Sequence, residues 1–336
     1  MERYIAIDSG KGSSKIAEYK KDDESIEVHK FRTKIEKGNF NDDAIENNTA
    51  IMEYEGKVYK IGDGAIMDAE MITSKKTVTH KMCTLLAIAQ LCSADEVDTV
   101  HVAIGIPVKN WEDVDARFDY KNFILPDGEI SVKYKPTSSG ETITKKFRIV
   151  SKHVYPETLG ALFIGDNVNN GTVAVIDIGH LNINQTVFNG VEVDRVYSLT
   201  DESGGYNMLT GLAQELSSAF SLVDEQTVLR TLLRPERCLK PVRPNKEVEE
   251  KSKEIINEYL LNYVKDIRKR CAGKKWAIDY MNFIFIGGTS RLLKKEIHEV
   301  FGEQAIIPDD PEYANAIGFL RIMCGKLLKI KINIKR

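Results

Sequence analysis

The sequence predicts an α/β protein of two lobes with related cores. Two stretches, YIAIDSGKGSSK near the start and VAVIDIGHLNIN near the middle, each contain an apolar strand, a turn that begins with Asp-x-Gly, and a returning strand. A third alternating segment follows in both places, so each lobe is expected to open with a three-stranded meander. Helical periodicity follows both meanders. The duplication is one of architecture and not of sequence.

Composition excludes several classes of protein. The 336 residues suit two domains, and a net charge of −3 gives no electrostatic basis for direct, nonspecific nucleic-acid binding. The five cysteines are scattered without a C-x-x-C pair, which argues against a disulfide framework, a zinc site or an iron–sulfur cluster. The start MERYIAID leads directly into a strand, and no apolar run approaches the ~20 residues of a membrane span. A cytoplasmic protein without a membrane partner is expected.

The first lobe is predicted from alternation, turn residues and helical periodicity. A nearly all-apolar strand in it suits a central place in a sheet, and Pro156 suits the first turn of a helix. The predicted elements are strands at Tyr4–Asp8, Ser14–Tyr19 and Ser25–Thr33, a hairpin at Ile51–Ile61 around Glu55-Gly56, a helix from about Ser74 to Ser93, the central strand Thr99–Ile106, a short helix at Lys109–Ala116, two strands within Ile130–Val150 around Ser138-Ser139-Gly140, and a helix at Val154–Phe163.

The second lobe repeats the meander and then becomes largely helical. Asn189-Gly190 is a strong hairpin signal, and Asp310 with Pro311 marks a helix start. The predicted elements are strands at Thr172–Ile178, Asn184–Phe188 and Val191–Ser198, a helix at Asp201–Phe220, a proline-rich loop at Arg234–Asn245, an amphipathic helix at Glu247–Lys269, a strand at Met281–Ile286, and helices at Ser290–Val300 and Asp310–Lys326. The basic tail KLLKIKINIKR fits either a solvated terminus or an edge strand protected by lysines.

The first Asp-x-Gly turn carries residue types that suit a nucleotide's phosphates. Gly10 and Gly12 permit close approach of the backbone, and Lys15 on the returning strand can reach a phosphate as a point charge. Asp8 and Asp177 both end buried strands, where a carboxylate can hold Mg²⁺ through its retained waters. One such turn alone is typical of an ordinary hairpin. The pair, together with Lys15 and the glycine pair of FIFIGGTS, favours nucleotide binding.

Three further residues have both a functional and a structural interpretation. Glu157 in VYPETLGAL could orient or deprotonate an attacking water, or it could simply complement a helix N-terminus. Gly205 in DESGGYN could let a helix approach a nucleoside, or it could only start that helix. His180, directly after Gly179, could bond a phosphate oxygen, although a lone histidine in a turn is commonly structural or solvated.

The ordered set DSGKGSSK, VYPETLG, VIDIGHLN, SGGYN and FIGGTSRL resembles the actin-like ATPase superfamily, which includes actin, Hsp70 chaperones and sugar kinases. The short length and the segment DPEYANAIGFL are most similar to bacterial plasmid-segregation actins of the ParM/StbA type. The resemblance implies duplicated ribonuclease H-like lobes of the actin/Hsp70 type, each a mixed five-stranded sheet flanked by helices, with a nucleotide cleft between them. It implies a first lobe at 1–170 with a small insertion at about 34–73, completed by a helix at about 319–336. The second lobe would be 171–318, with an insertion at about 201–275.

The resemblance also implies roles for individual residues. ATP or ADP would bind with Mg²⁺, Glu157 and Asp177 would be catalytic, and Asp8 and Asp177 would hold the metal through water. The cofactor-binding residues would be Asp8, Gly10, Lys11, Gly12, Ser13, Lys15, Gly179, His180, Asn182, Gly205, Gly287, Gly288 and Thr289. Many relatives carry Gly-Gly-Thr-Thr where this chain has Gly179-His180-Leu181-Asn182. His180 and Asn182 could replace those contacts, or hydrolysis could be altered.

The function implied by the resemblance is an ATPase that polymerises head to tail and segregates plasmid DNA. A DNA-binding adaptor on a centromere-like site would link filament and plasmid. Two alternatives stay open. One is a small-molecule kinase of the same superfamily, for which no sugar-binding motif is present. The other is an ATP switch that does not polymerise, although no room for a peptide-binding domain is expected after the ATPase core.

Overall fold

The computed structural model describes residues 1–42, 47–66, 74–136, 141–164 and 171–330. The chain divides into two compact units. One comprises residues 1–168 and 313–336, and the other comprises residues 169–312. The described strands are β1 (Glu2–Ser9), β2 (Ser13–Lys20), β3 (Ser25–Arg32), β4 (Ile35–Lys37), β5 (Thr49–Tyr54), β6 (Lys57–Gly62), β7 (Val97–Ile106), β8 (Glu129–Pro136), β9 (Ile143–Pro156), β10 (Thr172–Ile178), β11 (Ile183–Asn189), β12 (Glu192–Asp201), β13 (Asn282–Ile286) and β14 (Ala305–Ile306).

The helices alternate with these strands along the chain. The α-helices are α1 (Val78–Leu91), α2 (Val108–Trp111), α3 (Val114–Ile124), α4 (Gly205–Ala219), α5 (Glu225–Leu232), α6 (Lys246–Gly273), α7 (Gly288–Leu292), α8 (Lys294–Phe301) and α9 (Ala314–Leu328), with short 3₁₀ turns at Leu159–Phe163, Ile278–Tyr280, Gly302–Gln304 and Pro311–Tyr313. Within the described residues, no helix is both long and apolar enough to cross a membrane.

The first unit is built on one mixed sheet with the strand order β3-β2-β1-β7-β9-β8-β5-β6-β4. Its first five strands form the expected five-stranded mixed sheet, because β1 pairs antiparallel with β2 and parallel with β7, and β7 pairs parallel with β9. Four further strands enlarge it beyond that expectation. The long β9 makes this possible, since its first residues also pair antiparallel with β8, and β8 in turn pairs with β5.

Helix α1 is enclosed by this sheet. Residues on every side of it are buried, from Thr79 to Ala89. The helix contacts strands from both ends of the sheet. These ends are close in sequence, because β3 ends at Arg32 and β4 begins at Ile35. A helix with buried residues on all sides needs contacts all round it, and strands of the sheet together with α3 provide them.

The second face of the first sheet is covered by α9. Phe319, Leu320 and Met323 of this helix are fully buried against Tyr4 and Tyr155. The C-terminal helix thereby joins the core of the first unit, far in sequence from the strands it covers.

The second unit is built on a five-stranded mixed sheet with the order β12-β11-β10-β13-β14. Strand β10 pairs antiparallel with β11 and parallel with β13, which repeats the relation of β1 to β2 and β7. Its core joins α4, α6 and α8 to the sheet through buried residues, including Leu212, Ile256, Leu260, Phe285 and Ile297.

Both meanders and both hairpins are confirmed. Glu55, Gly56 and Gly190 have positive φ angles of 51°, 73° and 64°, as two-residue hairpin turns require. The helix predicted over Val154–Phe163 is wrong. Strand β9 continues to Pro156, paired with Ile106 of β7, and the short 3₁₀ turn begins only at Leu159. Pairing with a buried neighbour therefore outweighed the local helix signal. The predicted turn at 138–140, most of 165–171 and the tail beyond 330 lie outside the described residues.

Candidate functional site

Asp8 lies near the end of β1 and is buried, with only 7% of its surface exposed. Its carboxylate contacts the Lys75 ammonium, with Oδ1 and Nζ 3.4 Å apart. It also accepts a hydrogen bond from Asn315 Nδ2 at 3.5 Å. Burial alone would raise the pKa of Asp8, but the positive charges of Lys75 and Lys15 outweigh it and hold this pKa below its usual value. Asp8 is therefore an ionised acid at a strand end, as a Mg²⁺-binding role requires.

The turn after Asp8 is tight and holds a lysine across it. The Gly10 N–H donates to the carbonyls of Asp8 and Ser13, each at 3.1 Å. Lys15 lies opposite Asp8 in the β1–β2 register, and its Nζ would be 3.1 Å from a Cβ at Gly10. The absence of a side chain at Gly10 thus leaves room for the Lys15 ammonium beside the turn.

The other residues of this turn make structural contacts. Lys11 Nζ donates to the Ser74 carbonyl at 2.8 Å, and the Gly12 carbonyl accepts from Thr33 N at 3.3 Å. Ser13 is the first residue of β2. Lys11, expected at the nucleotide, thus holds the segment that leads to α1.

Glu157 directly follows β9 and is 5% exposed. Its N–H donates to the Ile106 carbonyl at 2.8 Å, so the end of β7 fixes its backbone. Gly105 lies beside it, since a Cβ there would be in ordinary contact with Glu157 Cγ at 3.6 Å but only 2.9 Å from the Phe319 ring. The next residue, Thr158, has a φ of 76°. This left-handed conformation costs a β-branched residue about 1–3 kcal/mol, and such strain is concentrated at functional sites.

Lys75 joins the two acids and was not predicted from the sequence. It forms an ion pair with Asp8 and another with Glu157 Oε1, and its side chain is 8% exposed. Burial acts to lower the pKa of Lys75, but the two carboxylates raise it well above its usual value. Its signal in the sequence is slight. A lysine just before a helix N-terminus is repelled by the positive end of the helix dipole. A nearby carboxylate would offset this repulsion.

Asn315 connects Asp8 to the Glu157 segment. Its Oδ1 accepts a hydrogen bond from Thr158 N at 3.0 Å, and its Nδ2 donates to Asp8. The position depends on close packing of α9 against the 3₁₀ turn that follows Thr158. A Cβ at Gly318 would be 2.0 Å from the Gly160 carbonyl oxygen. The ANAIG segment therefore belongs to this part of the site because its glycine lets its asparagine approach.

In the second unit, Asp177 is the penultimate residue of β10 and is half-buried. It is aligned with Ile286 of β13, so the two strands end together. Gly287 follows with a φ of 90°, and a Cβ there would be 2.5 Å from Asp177 Oδ1. The glycine lets the Asp177 carboxylate lie directly against the β13–α7 turn.

Three turns meet at the carbonyl of Gly179. This oxygen accepts from Gly205 N at 2.8 Å and from the Thr289 hydroxyl at 3.5 Å. The Gly179 N–H donates to the Asn182 carbonyl at 2.9 Å, which closes the turn. A Cβ at Gly205 would be only 2.2 Å from Thr289 Oγ1. Gly205 is thus needed for close packing of α4 on the β13–α7 turn.

His180 and Gly288 occupy the remaining predicted positions of the second unit. The His180 carbonyl accepts from Tyr206 N at 2.7 Å, and the two rings lie 5.7 Å apart at 57°. Gly288 starts α7, and a Cβ there would have no atom of the described residues within 4 Å.

The predicted residues therefore form two sets, one in each unit. The first set is Asp8, Gly10, Lys11, Gly12, Ser13, Lys15 and Glu157, to which the structure adds Lys75 and Asn315. The second set is Asp177, Gly179, His180, Asn182, Gly205, Gly287, Gly288 and Thr289. Among the described residues, no group of three or more His, Cys, Asp or Glu could hold a metal alone. The single carboxylates fit Mg²⁺, which keeps several waters and takes few protein ligands.

The chain is similar to known actin-like proteins. Residues 6–160 match the family described as the N-terminal domain of actin-like proteins. None of the curated proteins matches significantly. The Alp12 filament structure is 23% identical, with a TM-score of 0.73, over 97% of this chain and 99% of that chain. Ta0583, an archaeal actin homologue, is 18% identical, with a TM-score of 0.75, over 97% and 100% of the two chains. Ta0583 has also been solved in complex with ADP, a match of 16% identity and TM-score 0.69 over 94% and 97% of the two chains.

A ParM protein is a further structural match. The apo pSK41 ParM protein is 15% identical, with a TM-score of 0.71, over 98% of this chain and 99% of that chain. At these identities the structural matches establish the fold. The chain has the two-lobed actin-like fold, and its residues 6–160 match the family described as the N-terminal domain of actin-like proteins.

Proposed function

We propose that this protein is an actin-like ATPase that assembles into filaments in a nucleotide-dependent way, in the cytoplasm. The observation that carries the proposal is the pair of strand-end acids, Asp8 and Asp177. A glycine in a turn lies close to a functional group at each of the two strand ends. Gly10 leaves room for Lys15 Nζ, and Gly287 leaves room for the Asp177 carboxylate. Charged carboxylates and a lysine held on rigid strand ends suit a metal-bound triphosphate.

Each unit would contact its own part of the nucleotide. Lys15 and Ser13 would meet phosphate oxygens, and Asp8 and Asp177 would hold Mg²⁺ through its waters. Gly205, Gly287 and Thr289 would border the adenosine, since all three belong to the packed turns around Gly179. When bound, Mg²⁺ would offset the negative charge that develops during phosphoryl transfer. The ADP complex of Ta0583 supports a nucleotide as the ligand.

Hydrolysis would depend on Glu157 as the group that orients or deprotonates water. A general base works within hydrogen-bond reach of the proton it takes, which requires a rigidly held side chain. Glu157 is buried and fixed through its backbone to Ile106. Asp177 would act with it through the metal. His180 stands where many relatives carry a smaller residue, so its imidazole would take over a phosphate contact.

Assembly would be head to tail, because a heterologous contact that does not close into a ring produces a filament. ATP would favour the assembling state, and hydrolysis would weaken the subunit contact. Similarity to the Alp12 filament structure supports self-association. The resemblance to plasmid-segregation actins of the ParM type implies plasmid DNA as the cargo. The overall charge of −3 favours attachment through a DNA-binding adaptor over direct contact with DNA.

Sedimentation and light scattering test the proposal. The purified chain is followed over a range of concentrations with Mg²⁺ and ATP, ADP or a nonhydrolysable ATP analogue. A lower critical concentration with ATP and the analogue than with ADP is expected. A monomer under every condition that still releases phosphate would favour the non-polymerising switch. Phosphate transfer that requires a small hydroxylated acceptor would favour the kinase.

A further inference from the structure

Helix α6 exposes a stripe of polar residues whose two halves carry opposite charge. This α6 stripe consists of Glu254, Glu258, Asn262, Lys265 and Lys269, which are all exposed and lie three or four residues apart along one side of the helix. We infer that the α6 stripe binds the α6 stripe of a second copy of the chain, with the two helices antiparallel. The inference rests on the proposed function and goes beyond it, because it adds a lateral contact between filaments to the head-to-tail contact within each filament.

The α6 stripe lies on a helix that is firmly held in the second unit. Tyr263 donates a hydrogen bond from its hydroxyl to the Ser203 carbonyl at 2.6 Å, and Arg268 Nη1 donates to the Val300 carbonyl at 2.8 Å. The buried side of α6 comprises Ser252, Ile256, Leu260, Val264, Ile267 and Cys271. The stripe is therefore a rigid surface with a fixed order of charges.

Interactions within α6 do not account for this order of charges. Glu254 and Glu258 are four residues apart, and like charges at this spacing destabilise a helix slightly. The same holds for Lys265 and Lys269. The helix dipole favours acids near the N-terminus and bases near the C-terminus, but only within the first and last turns. Glu258 lies about three turns after the start of α6, and Lys265 lies about two turns before its end.

The charges of the α6 stripe have few partners within the chain. Glu254, Glu258 and Lys265 form no ion pair with any other residue that the structure describes. Lys269 Nζ pairs with Asp266 Oδ1 at 3.0 Å, but the two side chains are 76% and 56% exposed. Water screens such a pair and makes it weak, so Lys269 can exchange it for another carboxylate. The first half of the stripe is thus negative and the second half positive.

An antiparallel second copy matches the α6 stripe charge for charge. When Asn262 lies close to its own counterpart, Glu254 faces Lys269 and Glu258 faces Lys265. Both matches form together because the two acids and the two bases have the same separation, about 6 Å along the helix axis. Two-fold symmetry makes each match occur twice in the contact. A parallel copy in register would instead place like charges against each other.

Such a contact is weak between single molecules and stable between filaments. Each exposed ion pair contributes little and is screened by salt. Two filaments repeat the contact along their length, and after the first contact the next ones form at a high effective concentration. The expected product is a set of laterally associated filaments that separate as the salt concentration rises.

Reversal of charge within the α6 stripe tests this inference. One double variant, Glu254→Lys with Glu258→Lys, has an entirely basic stripe. The other, Lys265→Glu with Lys269→Glu, has an entirely acidic one. Filaments of each protein are assembled separately with Mg²⁺ and a nonhydrolysable ATP analogue at low salt. Low-speed sedimentation collects laterally associated filaments, and high-speed sedimentation also collects single filaments.

The parent should pellet at low speed in low salt and only at high speed in raised salt. Each double variant should lose its low-speed pellet and keep its high-speed pellet, because its stripes repel one another. A mixture of the two preassembled variants should recover the low-speed pellet, since a basic stripe then faces an acidic one. A protein that carries all four reversals should recover it alone, because its order of charges is inverted and again self-complementary.

A matched control comes from exposed acids of the first unit. Glu129→Lys with Glu141→Lys changes the net charge by the same amount as the basic-stripe variant, at two exposed positions outside α6. This control should pellet like the parent at both speeds. An equal loss of its low-speed pellet would show that net charge, and not the α6 stripe, governs lateral association, and would overturn the inference.

Several other results would overturn the inference while the proposed function survives. They are a parent that pellets only at high speed in low salt, a low-speed pellet for either double variant alone, and no recovery in the mixture or in the fourfold variant. Loss of the pellet in only one double variant would mean that a different surface faces the stripe. Low-speed pelleting of the parent only with added plasmid DNA would assign the basic half to nucleic acid. A parent that pellets at neither speed would instead overturn the proposed assembly itself.

Discussion

Gly318 lies directly against Gly160, so closely that a Cβ at Gly318 would be 2.0 Å from the Gly160 carbonyl oxygen. This contact lets α9 approach the 3₁₀ turn after Thr158. Asn315, one helical turn earlier, then reaches both Thr158 N and the Asp8 carboxylate. A contact between two glycines far apart in sequence thus sets the position of two candidate acids, Asp8 and Glu157.

The first prediction concerns this contact. Gly318→Ala should destabilise the protein by about 1–3 kcal/mol, because the added methyl group meets rigid backbone and forces α9 away. Chemical denaturation would measure the loss in the free energy of unfolding. Nucleotide binding should weaken as well, since displacement of α9 moves Asn315.

Gly325 is the matched control in the same helix. Among the described residues, a Cβ there would meet only the Ile330 carbonyl oxygen at 3.6 Å, an ordinary contact. Gly325→Ala should therefore be neutral or stabilise α9 by up to about 1 kcal/mol through helix propensity. Equal stabilities for the two variants would show that the Gly160–Gly318 contact has no structural importance.

The second prediction concerns the β13–α7 turn. Gly287→Ala should impair Mg²⁺-dependent ATP binding, because the new Cβ would meet Asp177 Oδ1 at 2.5 Å and would also require a φ of 90°. Titration of ATP with and without Mg²⁺ would show whether the metal-dependent part of the affinity is lost.

The neighbouring glycine provides a control for folding. In the part of the chain that the structure describes, no atom lies within 4 Å of a Cβ at Gly288, so Gly288→Ala should unfold at the same temperature as the parent. Gly287→Ala should unfold at a lower one. Parent-like Mg²⁺ dependence in folded Gly287→Ala would argue against a metal role for Asp177.

The third prediction concerns acid sensitivity. His80 is fully buried, and its Nδ1 lies 2.7 Å from the Thr77 hydroxyl. Burial, followed by the charges of Lys75 and Lys11, lowers the pKa of His80 from 6.5 to about 2. The unfolded chain then binds one more proton than the folded chain between these values. Stability contributed by neutral His80 is complete above pH 6.5 and falls below it, by about 1.4 kcal/mol per pH unit.

His80→Asn removes this titration and keeps a polar atom near Thr77. Denaturation curves at several pH values between 7 and 4 would compare the two proteins. As the pH falls, the free energy of unfolding of the parent should decrease more steeply than that of the variant, by about 1.4 kcal/mol per pH unit. Parallel curves would mean that His80 becomes protonated in the folded protein.

The meanders could be predicted from the sequence, and most residues of the candidate site could be proposed from it, because the signals there are local. A Cβ would collide at Gly205 and Gly287 and would be tightly packed at Gly10, so the glycine itself marks each position. Glu157 was identified as a candidate but placed on a helix. Its actual place after β9 depends on pairing with Ile106, which no pattern within VYPETLGAL records.

Lys75 was not predicted because its position, like that of Glu157, depends on contacts between distant parts of the sequence. Its partners, Asp8 and Glu157, lie far away in sequence, and a lysine in a polar stretch before a helix is normally solvated. The enlarged first sheet was also not foreseen, because its additional strands are joined through the long β9 and not through adjacent meander strands. Tertiary pairing decided both features.

The most direct test of the account is hydrolysis by Glu157→Gln, which keeps the shape of the side chain and removes its charge. Glu129→Gln is the control, since Glu129 is exposed on β8. ATP affinity, phosphate release and polymer lifetime would be measured on the same preparations. The account predicts ATP affinity within about threefold of the parent, phosphate release slowed about 100-fold or more, and polymers that persist longer. Phosphate release at the rate of the parent would contradict the role assigned to Glu157.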